Sequence, residues 1–298
     1  MLAVLAVACS TQPSANATQT SSPCKLAVIR GSPGFLTVPG GVFSPAPGAG
    51  SGTYYDKPLR KWVPGGPPAL AADGLRYAYV EGDTAASKAH MVDLKSGADV
   101  VVATGGPWEI AGLGPDAVYV MRIEYQDSAA YGRLAIGRGL SNLPLSGGSP
   151  TELTSDAEFW RWFAQGAVYG GGITLDVAGG PNDVIRFDVG TMRTTTWFSH
   201  NVRSRLVAVD ASGAALILAE SDHSELWRVA RPDAAVKVWS GATDTFVPIG
   251  PVAVDGSDVW MSSAPLKPSW DIVHFSPGGG LRRVATFTDR VTVAGPCA

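Results

Sequence analysis

The chain has 298 residues, of which 45% are hydrophobic and 16% charged, and it contains 36 glycines and 22 prolines. This composition excludes a largely disordered chain, and the many turn-forming residues are typical of an all-β domain. A formal net charge of −3 excludes the strongly basic surface on which nucleic-acid binding depends, so no nucleic-acid partner is predicted.

The first eight residues are apolar and small, and they lead directly to Cys9. They are too few to span a bilayer, which takes about 20 residues. They resemble the lipobox of bacterial lipoproteins, in which small residues precede the cysteine that receives the lipid. Ala6 stands where leucine is usual, and the basic segment that normally comes first is missing, as if the start codon had been assigned too late or the chain trimmed. We predict a lipoprotein-type signal peptide at residues 1–8 and lipidation of Cys9; the alternative is a frayed apolar end.

A polar segment follows, in which residues 10–23 contain neither a charge nor an aromatic ring. Such a segment cannot bury enough apolar surface to fold, so residues 9–24 are predicted to form a flexible tether. The predicted location is therefore the cell envelope, with the exported chain held at the membrane by its lipid alone.

Three cysteines occur in the sequence, at positions 9, 24 and 297. If Cys9 carries the lipid, Cys24 and Cys297 remain as a pair at the two ends of the region that can fold. An oxidising compartment outside the cytoplasm would permit a disulfide between them, and we predict that bond; the alternative is two unrelated free thiols.

Two kinds of turn recur along the chain and indicate internal repeats. The first precedes a short β-rich run, and its copies are spaced 34 to 51 residues apart, a period close to that of propeller blades. Its anchors are Gly40, Gly74, Pro115, Gly166, Gly213 and Gly256. The second lies inside a strand–turn–strand unit further along each repeat, with its clearest copies at Gly97, Gly148, Gly190, Pro232 and Gly279 and a weaker one over residues 54–62. Two hairpins in series make a four-stranded antiparallel blade.

The segment Asn142–Thr154, together with the Asp73-Gly74 turn and the strand after it, resembles the repeats of TolB-like propellers. This resemblance implies an all-β, six-bladed β-propeller over residues 25–298, but it implies no particular ligand, because that group includes protein scaffolds, ligand-binding propellers and propellers fused to hydrolases. The rival fold is a β-sandwich or a pair of sandwiches. Closing a propeller would require a strand from one chain end to complete the terminal blade, and such a strand would bring Cys297 close to Cys24.

No local motif for catalysis, a metal or a cofactor is found, so no cofactor is predicted. The four histidines lie in different repeats without metal-ligand spacing, and His90 and His274 are interpreted as residues of the sheets. The run Asp222–Glu225 is interpreted as a polar hairpin tip, and residues 176–183 lack the dense carboxylates of a calcium loop.

The candidate ligand-binding residues are aromatic and charged side chains near the starts of the first strands or in the long loops, all expected on one rim of the propeller. The long loops are predicted at 44–53, 82–89, 123–136, 172–182 and 263–270. The candidates are Trp108, Glu109, Glu124, Tyr125, Trp160, Arg161, Arg203, Arg205 and Trp270. For any single tryptophan the competing interpretation is packing between blades.

The sequence thus predicts a monomeric, non-catalytic envelope lipoprotein that binds a protein, peptide or carbohydrate on its loop-rich rim. The alternative is a propeller lyase or hydrolase whose catalytic residues are dispersed over several blades. Convergence of Glu109, Glu124 or a histidine with Arg161 in one pocket would favour the enzyme.

Overall fold

The computed structural model describes residues 23–50, 53–66, 69–71, 74–82, 87–128, 132–146, 148–156, 159–171, 183–220, 223–242, 248–264 and 269–298. These residues contain 25 strands and no α-helix. In chain order the strands are β1 Cys24–Arg30, β2 Ser32–Val38, β3 Val42–Pro45, β4 Tyr54–Asp56, β5 Lys61–Val63, β6 Arg76–Glu81, β7 Lys88–Asp93, β8 Asp99–Thr104, β9 Trp108–Leu113, β10 Ala117–Ser128, β11 Gly132–Pro144, β12 Thr151–Thr154, β13 Trp160–Ala164, β14 Ala167–Gly171, β15 Val184–Asp188, β16 Arg193–Phe198, β17 Arg203–Val209, β18 Ala215–Glu220, β19 His223–Val229, β20 Ala235–Ala242, β21 Pro248–Asp255, β22 Asp258–Ser263, β23 Trp270–Ser276, β24 Gly280–Phe287 and β25 Thr292–Cys297.

The strands form antiparallel sheets that follow one another along the chain. Four sheets of four consecutive strands run from β9 to β24, and a fifth four-stranded sheet has the order β25-β1-β2-β3. Strands β6, β7 and β8 form a three-stranded sheet, beside which Leu70 makes an isolated bridge to Tyr77, and β4 and β5 form a separate hairpin.

Apolar clusters lie between neighbouring sheets. Trp160 and Phe187 pack between the sheets β9–β12 and β13–β16, whereas Trp162 and Tyr169 pack toward the sheet β17–β20. Strand β9 contacts β13, β13 contacts β17, β17 contacts β21 and β21 contacts β25. Each of these five strands lies at one edge of its sheet. A sandwich has only two packed sheets, so this serial arrangement contradicts the rival fold.

The two chain ends meet in one sheet, in which the C-terminal β25 pairs with the N-terminal β1. Leu26 lies opposite Cys297, and the amide of Ala298 donates a hydrogen bond of 2.9 Å to the carbonyl oxygen of Lys25. Cys24 and Cys297 form a disulfide with their Cα atoms 5.5 Å apart, within the usual range for such a bond. The predicted disulfide is confirmed, and the strand that completes this sheet comes from the C-terminus.

The turns predicted between the third and fourth strands of each repeat are confirmed at five positions. They join β7 to β8, β11 to β12, β15 to β16, β19 to β20 and β23 to β24. His90 lies in β7 and His274 in β23, as interpreted from the sequence.

The first repeat was assigned wrongly. We call the sheet β25-β1-β2-β3 the closing sheet. The Gly40 turn joins its third and fourth strands, β2 and β3, because the C-terminal β25 occupies the first position. Residues 54–62 do not form the outer half of a blade but give the β4–β5 hairpin, which packs Tyr55 and Trp62 against Phe35 of the closing sheet.

The loop predicted at 123–136 is mostly β-structure. Strands β10 and β11 pair continuously from Ala117–Pro144 to Ser128–Gly132, well beyond the stretch of β10 that β9 covers.

Candidate ligand-binding cavity

A cavity of about 400 Å³ lies where the chain leaves the β4–β5 hairpin and passes strands β6 and β9. Among the described residues most of its wall is apolar or backbone, and the polar side chains there are those of Tyr79, Trp108 and Glu109. The described residues that line it are Pro64, Gly65, Gly66, Ala69, Ala78, Tyr79, Val80, Trp108, Glu109 and Ile110.

The segment that forms one wall depends on glycine. Gly65 has a φ of +139°, which side-chain-bearing residues rarely adopt, and a Cβ there would stand 3.5 Å from the carbonyl oxygen of Ala78 and 3.6 Å from the Cβ of Ala69. Pro64 and Gly65 therefore let the chain turn close to β6 and leave space in front of β9.

Glu109 lies in β9, the innermost strand of its sheet, and its side chain reaches solvent through the cavity. The surrounding protein nevertheless desolvates the carboxylate, and this raises the pKa of Glu109 above its ordinary value; the positive charge of Arg161 in neighbouring β13 acts in the opposite direction. Because the net shift is upward, the desolvation of the Glu109 carboxylate outweighs the attraction of Arg161.

Four of the other carboxylates in the described residues differ from Glu109 because a basic side chain donates a hydrogen bond to each. The bonds are Arg138 Nε to Glu124 at 2.6 Å, Arg186 Nη1 to Asp188 at 3.1 Å, Arg228 Nη2 to Asp210 at 2.9 Å and Lys237 Nζ to Glu225 at 2.9 Å. Hydrogen bonds lower the pKa of Glu124 and Glu225, mainly those from Arg138 and Lys237, and the pKa of Asp188, mainly those from Thr191. Neither effect acting on Glu109 is a hydrogen bond.

Trp108 starts β9 beside Glu109 and is held through its backbone. Its amide donates a hydrogen bond of 3.1 Å to the Ser87 hydroxyl, and that hydroxyl donates to the carbonyl oxygen of Gly106. The indole Nε1 of Trp108 is buried and has no hydrogen-bond partner in the described part of the chain. Because this nitrogen is buried, a ligand in the cavity can reach other atoms of Trp108, beside the Glu109 carboxylate, but not this donor.

Tyr79 was not singled out from the sequence as a site residue. Its ring stacks on His90 of β7, with centroids 4.6 Å apart, and its hydroxyl donates a hydrogen bond of 2.8 Å to Asp99. That hydrogen bond raises the pKa of Tyr79 to about 12, so the hydroxyl stays protonated near neutral pH. The sequence around Tyr79 alternates as Tyr77-Ala78-Tyr79, and this pattern predicts a strand but not a residue of a binding site.

Two of the predicted binding residues, Trp108 and Glu109, therefore line one cavity, and Arg161 acts electrostatically on it. Arg161 also lies over the Phe159 ring, 4.5 Å from its centroid. Trp160 has to be removed from the candidates, because its side chain is 0% exposed and packs in the core between two sheets.

The remaining candidates lie elsewhere. Glu124 and Tyr125 stand on the projecting β10–β11 hairpin, where Tyr125 is 41% exposed. Arg203 and Arg205 are half-buried in β17, and Trp270 starts β23 with the Arg290 guanidinium 5.6 Å from its ring centroid. None of these five lines the cavity. Cys9, Asp222 and most of the 176–183 run lie outside the described residues.

No group of three or more histidine, cysteine, aspartate or glutamate side chains among the described residues could hold a metal ion. No helix in that part of the chain is long and apolar enough to cross a membrane.

Solved structures with similar folds are numerous but distant in sequence. TolB from Acinetobacter baumannii matches with a TM-score of 0.54 and 12% identity, over 92% of this chain and 66% of that one. The fold is that of TolB-like β-propellers. A second TolB structure, from Agrobacterium tumefaciens, matches with a TM-score of 0.52 and 11% identity, over 93% of this chain and 94% of that one.

A structure titled as an oligogalacturonate lyase in complex with manganese is a weaker match. Its TM-score is 0.45 at 14% identity, over 72% of this chain and 63% of that one, which supports no argument about this TolB-like propeller. No protein-family model and no curated protein matches the sequence. This chain spans slightly under two thirds of the first TolB match, and identities this low establish the fold alone.

Proposed function

We propose that this TolB-like propeller is a non-catalytic binding protein of the bacterial cell envelope, and that a peptide, protein or carbohydrate ligand enters the cavity beside Trp108 and Glu109. One observation carries the proposal: a mostly apolar cavity contains Trp108 and the Glu109 carboxylate, to which no basic side chain of the described residues donates a hydrogen bond. Ligand pockets are typically apolar with a few polar groups that fix the orientation of the ligand.

We propose that the chain is exported from the cytoplasm and held at the membrane by a lipid on Cys9. The Cys24–Cys297 disulfide supports an oxidising compartment. If Cys9 carries the anchor, a chain expressed in a bacterial host with an intact upstream start fractionates with membranes, and Cys9→Ala moves it to the soluble fraction. Soluble wild-type protein under the same conditions would contradict the anchor.

The proposed architecture is one domain of six blades over residues 25–298. Five blades are the four-stranded sheets, and the sixth consists of β6–β8 with an inner strand around Leu70. The β4–β5 hairpin is then an insertion between the closing blade and the next one. It contacts both neighbours, since Tyr55 packs beside Gly295 of β25 and Pro58 packs beside Gly74, just before β6.

Ligand-observed NMR with the full chain tests the binding proposal, using a panel of short peptides and of neutral oligosaccharides. We expect at least one class to bind and Trp108→Ala to abolish that binding, whereas Tyr125→Ala, which changes an exposed aromatic side chain away from the cavity, should not. Unfolding curves of both variants separate loss of the site from loss of the fold. Binding that survives Trp108→Ala would show that the cavity is not the site.

An enzyme remains the second candidate, and one observation favours it. Glu109 has a raised pKa next to a cavity, with Arg161 near it, and a raised carboxyl pKa is one way in which proteins obtain a general acid. Conversion of any panel member into product by the wild-type chain, with loss of that turnover in Glu109→Gln, would support the enzyme over the binding protein.

A further inference from the structure

We propose that the cavity beside Trp108 and Glu109 accepts a basic side chain, lysine or arginine, presented by a peptide or protein ligand. This inference rests on the proposed binding function and names the chemistry that the site recognises. It is carried by three features of the cavity: its size, its largely apolar wall and its single carboxylate.

The volume fits one side chain. At about 400 Å³ the cavity lies near the small end of ligand pockets, which span about 300 to 1,000 Å³. A folded loop or a chain of several sugars would not enter it. One long side chain, with the rest of the ligand lying on the rim outside, would.

The wall fits an aliphatic stem better than a sugar ring. A sugar presents hydroxyl groups around its whole edge and needs several donors and acceptors, but most residues of this wall offer apolar surface or backbone. The Tyr79 hydroxyl already donates to Asp99. Lysine and arginine place methylene groups along apolar walls and carry their charge at the tip, where this cavity has Glu109.

The charge of Glu109 favours a cation as the ligand group. Desolvation of the carboxylate outweighs the attraction of Arg161, and neither effect on Glu109 is a hydrogen bond within the described chain. An ammonium or guanidinium group would supply both the charge and the donors, and charge-assisted hydrogen bonds are about twice as strong as neutral ones. The Trp108 indole in the same wall adds a ring of the type that best attracts cations.

Three blocked tripeptides, added to the purified full chain, test the inference. They have the form acetyl-Gly-X-Gly-amide, with arginine, citrulline or glutamate as X, and binding is measured by ligand-observed NMR and tryptophan fluorescence. Citrulline matches arginine in shape but is neutral, because a carbonyl oxygen replaces one of the guanidinium nitrogens. We expect the arginine peptide to bind at least about tenfold more tightly than the other two, the size of effect that a charged hydrogen bond gives.

Two variants test which carboxylate gives the preference for a basic side chain. Glu109→Gln should remove the preference for arginine over citrulline. Glu124→Gln, which changes an exposed carboxylate on the projecting hairpin, should leave that preference intact. Equal binding of the arginine and citrulline peptides, or an unchanged preference in Glu109→Gln, would overturn the inference.

The binding proposal and this inference fail in different ways. If neutral oligosaccharides bind in a Trp108-dependent manner and the arginine peptide does not, the cavity is a binding site but the basic-side-chain inference is wrong. If neither class binds, both are wrong. Urea unfolding of the wild type, Glu109→Gln and Glu124→Gln confirms that all three chains are folded in these measurements.

Discussion

The region where the chain ends meet and the cavity beside β9 use their residues in opposite ways. The closing sheet is held by a disulfide, by β-pairing between β1 and β25, and by an aromatic cluster of Phe35, Tyr55 and Trp62. The cavity instead keeps a desolvated carboxylate to which no basic side chain of the described residues donates a hydrogen bond.

This difference separates stability from binding. The contacts of the closing sheet lower the free energy of the folded chain, while desolvation of the Glu109 carboxylate raises it when that group is charged. Substitutions in the two regions should therefore change different measurements.

The largest effect on stability is expected from removing the disulfide. Cys24→Ser with Cys297→Ser opens a loop set by a sequence separation of 273 residues. In the chain-entropy model such a loop is worth at most about 5 to 6 kcal/mol, a large part of a typical net stability of about 5 to 15 kcal/mol. Urea unfolding under oxidising conditions should show a much lower midpoint for the double variant.

Cys9→Ser is the matched control for that experiment, because it removes a cysteine outside the disulfide. It should leave the urea midpoint at the wild-type value. An unchanged midpoint in the Cys24→Ser, Cys297→Ser variant would mean that strand pairing and packing alone hold the two chain ends together.

A smaller loss is expected from a core tryptophan, and a neighbouring tryptophan provides the comparison. Trp160 and Trp108 each start the inner strand of adjacent sheets, but Trp160 is 0% exposed and Trp108 is only partly buried. Trp160→Ala should lower the free energy of unfolding by about 3 to 5 kcal/mol, the usual cost of emptying a buried aromatic site. Trp108→Ala should cost clearly less and should mainly remove binding. Equal losses in urea unfolding would show that both residues serve the core.

The sequence predicts the repeated parts of this molecule well and the unique parts poorly. Turns such as Gly97 and Gly190 were recognisable because a hairpin needs a particular backbone conformation between alternating strands. The strands of the first repeat could not be assigned correctly from the sequence, because the strand that pairs with β1 lies more than 250 residues away at the C-terminus. No local pattern records that pairing.

The candidate site shows the same limit. Trp108 and Glu109 could be chosen from the sequence because a charged residue next to tryptophan at the start of an inner strand is unusual in a core. Trp160 gave the same local signal, and its burial follows only from packing against the next sheet. The cavity also depends on Gly65, Gly66 and Tyr79, which come together through the β4–β5 hairpin that the repeat pattern did not predict.

The smallest effects are expected from two carboxylates whose pKa values are shifted in opposite directions. The folded chain holds the Glu109 proton more tightly than the unfolded chain, because desolvation raises that pKa above 4.5. Glu109 therefore favours folding fully at pH values below 4.5, and this contribution is lost as the pH rises through the folded pKa. The reverse holds for Glu124, whose pKa Arg138 lowers: its contribution is present above 4.5 and is lost as the pH falls through the folded pKa.

Melting temperatures of the wild type, Glu109→Gln and Glu124→Gln across the mildly acidic to neutral range test these signs. Relative to the wild type, Glu109→Gln should gain stability as the pH rises, since glutamine removes a carboxylate that must be charged in a desolvating site. Glu124→Gln should show a slight loss near neutral pH that disappears in acid, because exposed ion pairs contribute little. If Glu109→Gln instead loses stability near neutral pH, the carboxylate is already satisfied within the protein, and the cavity has no uncompensated charge for a ligand to meet.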